Sequence, residues 1–192
     1  MTKNKNMNIS VFCASSHPHD KQISCAAGEL GRRLALAGYT LLYGGSNLGL
    51  MGTVSGAALD AGGTVIAVIP TFFSNEIINS QPVSQIVRVK SMAERKEYLI
   101  ANSDAFFAFP GGIGTLDEVL EVMVSNQLGP LRDDNHRDKP IILFNHDNFY
   151  APFLHQIDVM GQHGFFRSGK RPDLIVCDTI DEIMQEIICR QL

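Results

Sequence analysis

A chain of 192 residues with 45% apolar and 19% charged residues has an ordinary globular composition and can bury one large core in a single domain. Its net charge of −4 argues against a nucleic-acid partner, because surfaces that bind nucleic acids are usually basic. No apolar stretch is long enough to span a membrane, and the polar start has no signal-peptide core, so we expect a cytoplasmic protein with no membrane partner.

Strand-like and helix-like segments alternate along the chain. The whole chain, residues 1–192, is assigned to one domain, and residues 1–8 are expected to be flexible. The predicted order is strand 9–14, helix 21–37, strand 40–43, helix 53–61, strand 64–69, strand 85–89, helix 92–102, strand 104–109, a helix ending near 129, strand 141–145, helix 148–161, strand 174–177, and a last helix capped by Asp178 or Thr179. This alternation predicts an α/β fold with a Rossmann-like, doubly wound, mostly parallel sheet of about seven strands flanked by helices.

The stretch FPGGIGTLDE, residues 109–118, lies between a predicted strand and a predicted helix. A glycine turn in that position directs unpaired backbone N–H groups and the positive end of the helix dipole at one spot. A phosphate or carboxylate fits such a spot, and glycines let the backbone approach it closely. The pattern is neither a P-loop nor the dinucleotide GxGxxG motif, so those mechanisms are not implied.

A structural explanation of the same residues exists. Thr115 and Glu118 have the spacing of a capping box, in which the two side chains only satisfy backbone N–H groups at the start of a helix. Three glycines in one turn exceed what a cap needs, which favours a ligand site. The side of this helix predicted to be buried consists of Leu116, Val119, Leu120, Met123 and Val124.

A second glycine turn, residues 44–52, also follows a predicted strand. Because ligands bind at the carboxyl ends of parallel strands, both turns are expected to face one edge of the sheet and to line one crevice. The helix after this turn is rich in small residues, which fits close packing on the sheet, contact with a ligand, or both. The histidines and cysteines show no metal-ligand spacing, so we predict no metal site and no cofactor, and the cysteines are expected to be small, reduced core residues: Cys13, Cys25, Cys177 and Cys189.

Taken together, these motifs resemble the LONELY GUY (LOG) family, long mislabelled as lysine decarboxylases. The matching stretches, from about Ile9 to the C-terminus, are PGGxGTxxE at 110–118, YGGxxxGLMG at 43–52, MxxRK at Met92, Arg95 and Lys96, CxSS at 13–16, QLG at 127–129, and Lys139-Pro140. The chain departs from the family's pattern at Ala14, Ser46 and Ser125 and in the charged loop 131–139, which leaves the preferred base open.

The resemblance implies a phosphoribohydrolase, which splits a nucleoside 5′-monophosphate into a free base and ribose 5-phosphate. Family substrates are cytokinin riboside monophosphates and often AMP, and members are commonly homodimers. Carried over by position, Arg95 and Glu118 are the expected catalytic pair. The residues expected to bind substrate are Gly45, Glu76, Met92, Lys96, Gly111, Gly112, Ile113, Gly114 and Thr115. Glu76 is assigned to the base, although an exposed loop acid explains it equally, and Glu121 is a weaker acid candidate than Glu118.

The residues suit this chemistry. Breaking a riboside bond develops positive charge on the sugar, and a carboxylate beside the sugar stabilises that charge and activates water. Glu118 lies one turn into the helix that is expected to hold the phosphate, while Arg95 either binds the phosphate or polarises the base. Without the motif, Arg95 would be taken as a solvated helix charge. A lysine decarboxylase is disfavoured because the chain has no recognisable pyridoxal-phosphate lysine context. A non-catalytic nucleotide-binding module of the same fold is the alternative.

Overall fold

The computed structural model describes residues 7–73, 83–131, 133 and 137–190. Within them, six helices and seven strands follow one another along the chain. The elements are β1 (Asn8–Phe12), α1 (Lys21–Leu36), β2 (Thr40–Tyr43), α2 (Gly49–Asp60), β3 (Thr64–Pro70), β4 (Gln85–Val89), α3 (Met92–Asn102), β5 (Ala105–Ala108), α4 (Ile113–Leu128), β6 (Ile141–Phe144), α5 (Ala151–Gln162), β7 (Leu174–Cys177) and α6 (Ile180–Cys189). No helix in these ranges is long and apolar enough to cross a membrane.

All seven strands form one parallel sheet in the order β4-β3-β2-β1-β5-β6-β7, which confirms the predicted doubly wound fold. The chain winds outward from β1 to β4, then crosses back through α3 to β5 on the other side of β1. The point where the winding direction changes therefore lies between β1 and β5. Ligands of doubly wound sheets bind outside the carboxyl ends of the strands at such a point.

Alternate residues of each central strand supply two apolar layers, one on each face of the sheet. In β1, Val11 packs into the layer that is covered by α1, α2 and α6, whereas Phe12 packs into the layer that is covered by α3, α4 and α5. In β5, Phe107 and Phe106 divide in the same way. A strand covered on both faces needs apolar residues at every position, which is why these strands appear as continuous apolar runs.

Two helices begin at positions different from those predicted. α2 begins at Gly49, four residues before the predicted start, since burial of Leu50 and Met51 against the core outweighs the weak helix propensity of the flanking glycines. α5 begins at Ala151 instead of residue 148. A 3₁₀ turn over His146–Asn148 comes before it, in which Asp147 has a φ of 50° and cannot continue a helix.

The predicted buried face of α4 was partly wrong. Val119 and Met123 are buried as predicted, but Leu120 and Val124 are exposed, and Val122 is buried instead. The cysteine prediction holds for Cys13 and Cys177, which are buried, and is wrong for Cys25 and Cys189, which are exposed.

Candidate functional site

A cavity of about 390 Å³ opens at the carboxyl edge of the sheet, beside the switch between β1 and β5. Its walls come from the segments that follow β1 and β2, the end of β3, and the first turns of α2, α3 and α4. The lining residues are Cys13, Ala14, Ser15, Ser16, Gly44, Gly45, Ser46, Leu48, Met51, Ile69, Phe73, Arg95, Gly112, Gly114, Thr115 and Glu118. Both predicted glycine turns therefore line one crevice, as expected from the topology.

The turn between β5 and α4 presents backbone donors to this cavity. Gly112 is the N-cap of α4, with extended backbone and no side-chain cap, and its carbonyl oxygen accepts from the amides of Thr115 and Leu116. Among the described residues, no acceptor is bound to the amides of Ile113 and Gly114. These are the first N–H groups of the helix, where the helix dipole is positive, and they suit an anion.

The three glycines of this turn have two different roles. A Cβ at Gly111 would lie 2.2 Å from the Oγ1 atom of Thr115, so a side chain there would displace that buried threonine. A Cβ at Gly112 or Gly114 would meet no atom within 4 Å. Gly111 is therefore required for packing, while Gly112 and Gly114 leave open space over the helix N-terminus.

Arg95 on α3 and Glu118 on α4 form a buried ion pair in the wall of the cavity. The Nη2 atom of Arg95 donates to the Oε1 atom of Glu118 at 2.5 Å, and the two residues are only 7% and 3% exposed. The Nε atom of Arg95 is buried and has no hydrogen-bond partner among the described residues. A buried guanidinium with a donor unused can bind a further acceptor.

The predicted capping box at Thr115 and Glu118 does not form. Helix α4 begins two residues before Thr115, so Glu118 lies in the second turn, too far along the helix to cap its start. Its carboxylate contacts Arg95 instead. The structural explanation of Glu118 is therefore wrong.

The pKa of Glu118 is raised to about 7, chiefly by burial; Arg95 and Lys96 lower it, and the nearby Asp117 carboxylate adds to the rise. A carboxyl group with a pKa near neutrality can both accept and return a proton at physiological pH. Burial and the Glu118 charge also raise the pKa of Cys13 far above its usual range, which keeps this thiol protonated and unreactive.

The turn after β2 is fixed by close backbone packing. Gly45 has a φ of +86°, and a Cβ on it would lie 2.2 Å from the Cγ1 atom of Ile69. Ser46, where the LOG pattern has a third glycine, accepts from the amide of Leu48 through its Oγ atom at 3.1 Å. This hydroxyl stabilises the same turn, so the departure at Ser46 leaves the shape of the cavity intact.

Several predicted site residues do not line the cavity. Ile113 is 88% exposed, Met92 is half-buried on the first turn of α3, and Gly111 packs on Thr115. Lys96 contacts Asp117 at 2.9 Å and Glu121 at 2.8 Å on the outer side of the α3–α4 contact. Glu76 lies outside the described residues.

Sequence reasoning missed the apolar wall and one support of the site. Leu48, Met51, Ile69 and Phe73 form the apolar wall, and only their position after or near the ends of β2 and β3 could have indicated it. The support is Tyr150, which is fully buried and donates from its hydroxyl to the carbonyl oxygen of Phe109 at 2.6 Å. That hydrogen bond holds the chain at the point where β5 enters the glycine turn.

Comparison with known proteins identifies related sequences. A family model described as "Possible lysine decarboxylase" matches residues 51–187. Cytokinin riboside 5′-monophosphate phosphoribohydrolase LOG of Oryza sativa subsp. japonica is 40% identical over 179 residues, which are 93% of this chain and 72% of that protein. The enzyme of the same name, LOG4, from Arabidopsis thaliana is 38% identical over 187 residues, which are 97% of this chain and 84% of that protein.

Solved structures share the fold at lower identity. The molybdenum cofactor binding protein of Rippkaea orientalis has a TM-score of 0.69 at 23% identity, covering 98% of this chain and 99% of its own. The molybdenum cofactor carrier protein of Chlamydomonas reinhardtii has a TM-score of 0.70 at 21% identity, covering 96% and 98%. At these identities the likeness supports the α/β architecture alone.

Proposed function

The chain belongs to the LONELY GUY family, and on that premise we propose that it is a phosphoribohydrolase that cleaves the N-glycosidic bond of a nucleoside 5′-monophosphate. The observation that carries the proposal is the position of the Arg95–Glu118 pair, which is buried in the same 390 Å³ cavity as the unpaired amides at the start of α4. An anion site and a carboxyl group of raised pKa thus lie a short distance apart. The relatives from rice and Arabidopsis carry the name of this activity.

The 5′-phosphate is assigned to the turn between β5 and α4. The amides of Ile113 and Gly114 and the dipole of α4 provide the positive potential, and the open space at Gly112 and Gly114 gives room for the phosphate oxygens. Ile113 enters this role through its backbone amide, while its side chain is exposed. A phosphate held there fixes the attached ribose relative to the catalytic pair.

Glu118 is assigned to the bond-breaking step. As the C1′–N bond breaks, its electron pair leaves with the base and positive charge develops on the ribose, next to a carboxylate that stabilises it. The oxygen of a water molecule forms the new bond to C1′, and Glu118 takes the proton that the water loses. The base takes up a proton from solvent as it leaves, and Glu118 then returns its own proton to solvent, so the products are the free base and ribose 5-phosphate.

Arg95 is assigned to orienting Glu118 and to binding a substrate acceptor. Its Nη2 atom donates to Glu118, and its buried Nε atom has no partner among the described residues. A guanidinium has several donors in one plane, so it can hold a carboxylate and a second acceptor together. The apolar wall of Leu48, Met51, Ile69 and Phe73 is assigned to the base. AMP and cytokinin riboside 5′-monophosphates both have a base that suits such a wall.

We also assign the chain to a homodimer. Ile113, Leu120 and Val124 leave an apolar stripe exposed along α4, next to the cavity. Exposed apolar stripes of this kind are common at protein–protein interfaces. Light scattering after size exclusion tests this assignment, and Leu120→Glu is expected to shift the dimer toward monomer.

The described cysteines are free thiols, which fits a reducing cytoplasm.

Incubation with AMP, followed by chromatography for free adenine, tests the activity. AMP should be cleaved, and adenosine should be cleaved very slowly or not at all, because it lacks the group that the helix N-terminus binds. Equal rates for AMP and adenosine would remove the phosphate assignment. Binding of AMP without release of adenine would instead support a non-catalytic nucleotide-binding module.

Lysine decarboxylation, which the description of the family model names, finds no support in the site. Within the described part of the chain, no lysine lines the cavity, and the neighbouring Lys96 is held by Asp117 and Glu121. A pyridoxal-phosphate enzyme needs a lysine in its site to form the Schiff base. Incubation with lysine and pyridoxal phosphate is expected to release no cadaverine.

A further inference from the structure

A second cavity, of about 740 Å³, lies at the amino edge of the sheet, opposite the proposed active site. It lies beside the starts of β6 and β7, the last turns of α4 and the end of α6. Its lining residues are Met123, Asn126, Gln127, Pro130, Leu131, Arg137, Asp138, Lys139, Pro140, Ile141, Arg167, Lys170, Arg171, Pro172, Asp173 and Arg190. Asn126 is eight residues beyond Glu118 on α4, a distance of about 12 Å along the helix.

The lining of this cavity is strongly basic, although the protein carries a net charge of −4. Six lining residues are cationic and two are acidic. The fold itself accounts for two of the cations. Lys139 donates from its Nζ atom to the carbonyl oxygen of Ile100 at 2.6 Å, at the end of α3, and Arg190 caps α6 and contacts Glu186 at 3.0 Å.

The other four cations are exposed and have weak partners or none. Lys170 contacts Asp138 at 3.3 Å, and Arg171 contacts Asp158 at 2.8 Å, in pairs that are open to solvent. Within the described ranges, the guanidinium groups of Arg137 and Arg167 have neither an ion-pair nor a hydrogen-bond partner. Exposed ion pairs are worth about 0–1 kcal/mol and exchange readily for a better anion.

The rest of the cavity is apolar or amide-lined. Met123, Pro130, Leu131 and Pro172 provide apolar surface, and Gln127 provides an amide. Guanidinium groups bind phosphate oxygens in pairs of parallel hydrogen bonds, so four cations around one cavity exceed what a single phosphate group requires. We propose that this cavity binds an organic molecule carrying two or more phosphate groups, such as a nucleoside diphosphate or triphosphate.

Calorimetric titration with inorganic triphosphate, at 150 mM NaCl, tests the site. Triphosphate should bind the wild-type chain, and sulfate should bind at least tenfold more weakly, because it offers one tetrahedral group. The Arg137→Glu/Arg167→Glu variant should lose at least tenfold in triphosphate affinity. Arg95→Ala, which alters only the active-site cavity, should keep it, so this readout does not depend on the proposed hydrolase activity.

Arg32→Glu is the matched control, since Arg32 is an exposed arginine on α1 that pairs with Glu29, outside both cavities. If Arg32→Glu and Arg167→Glu lost triphosphate affinity equally, the loss would be explained by overall charge, and the proposal would be overturned. Absence of triphosphate binding to the wild type, or binding that Arg95→Ala abolishes, would overturn it as well. The proposal would also be overturned if Arg137 and Arg167 were needed for binding a single-stranded oligonucleotide but not for binding triphosphate or ATP.

Discussion

Helices α3 and α4 meet through two neighbouring cations that contact carboxylates in very different surroundings. Arg95 pairs with Glu118 inside the protein, where both side chains are almost fully buried. Lys96, the next residue along α3, pairs with Asp117 and Glu121, whose side chains are 50% and 46% exposed. The cation and the number of carboxylates differ between the two contacts, and so does the burial of the carboxylates.

That difference separates a chemical role from a mechanical one. Burial raises the pKa of Glu118 to about 7, although Arg95 lowers it. The buried carboxyl group can therefore gain or lose a proton near neutral pH. At the exposed contact, the hydrogen bonds that Lys96 donates to the carboxylates of Glu121 and Asp117 raise the pKa of Lys96, which stays charged. Perturbed carboxyl groups in a cavity are candidates for catalysis, whereas exposed ion pairs contribute little even to stability.

The largest effect is expected from Glu118→Gln, which removes the charge and keeps the shape. If the buried carboxyl acts as the base, kcat for adenine release from AMP should fall by roughly 10²–10⁴-fold. The melting temperature should fall, because glutamine leaves the guanidinium of Arg95 buried without a counter-charge. Adenine release and melting are measured on one preparation.

Glu121→Gln is the matched control for Glu118→Gln, since Glu121 lies nearly one turn further along α4 and contacts Lys96 at the exposed pair. It is expected to retain most of the wild-type kcat. A folded Glu118→Gln protein with more than about a tenth of wild-type kcat, a barrier change under about 1.4 kcal/mol, would leave Glu118 with a structural role only.

Arg95→Ala is expected to lower kcat/KM by roughly 10²-fold or more, because the transition state loses a preorganised donor and Glu118 loses its orientation. Glu118 is then left buried without a cation, so its pKa should rise further and activity should shift to higher pH. Chromatography of adenine across a pH series measures both changes. A folded Arg95→Ala protein with wild-type kcat/KM would leave Arg95 with a structural role only.

The raised pKa of Glu118 also predicts how stability depends on pH. Its folded-state pKa of about 7 lies above the ordinary value of 4.5, so the folded state holds the extra proton between these limits. Stability contributed by this proton is present below about pH 4.5 and is lost as pH rises toward 7, by at most about 3 kcal/mol. Urea midpoints at pH 5 and 8 should differ more in the wild type than in Glu118→Gln. An identical pH dependence in both proteins would show that the pKa of Glu118 is not raised.

The contrast between the two contacts could be only partly predicted from the sequence. Continuous apolar runs, separated by helix-like segments, predicted every strand and the doubly wound sheet. Strands that are covered on both faces need apolar residues throughout. The family pattern predicted that Arg95 and Glu118 act as a pair. Their burial could not be predicted, since α3 and α4 lie 23 residues apart at these positions and only their packing encloses the pair.

Spacing along the chain does not fix which way a side chain points. It predicted that Leu120 is buried, and Leu120 is exposed. It also allowed the alternative in which Glu118 caps α4, which fails because Gly112, three residues before Thr115, is the N-cap. Lys96 is predicted to bind substrate as part of the motif, and its side chain does not line the cavity, because successive residues of a helix face different directions.

The smallest effect is expected from Lys96→Ala, which breaks the exposed contact and leaves the buried one. Of the groups that shift the pKa of Glu118, Lys96 has the smallest effect, and it lowers that pKa. Removing Lys96 should therefore raise the pKa of Glu118 slightly. At pH 8, where Glu118 is ionised, kcat should change less than about threefold. The stability loss should be at most about 1 kcal/mol, since the carboxylates of Asp117 and Glu121 return to water. Urea unfolding and adenine release, run beside Arg95→Ala, measure the contrast. If Lys96→Ala lowered kcat as much as Arg95→Ala, the exposed contact would share in the chemistry, and burial would not be what separates the two.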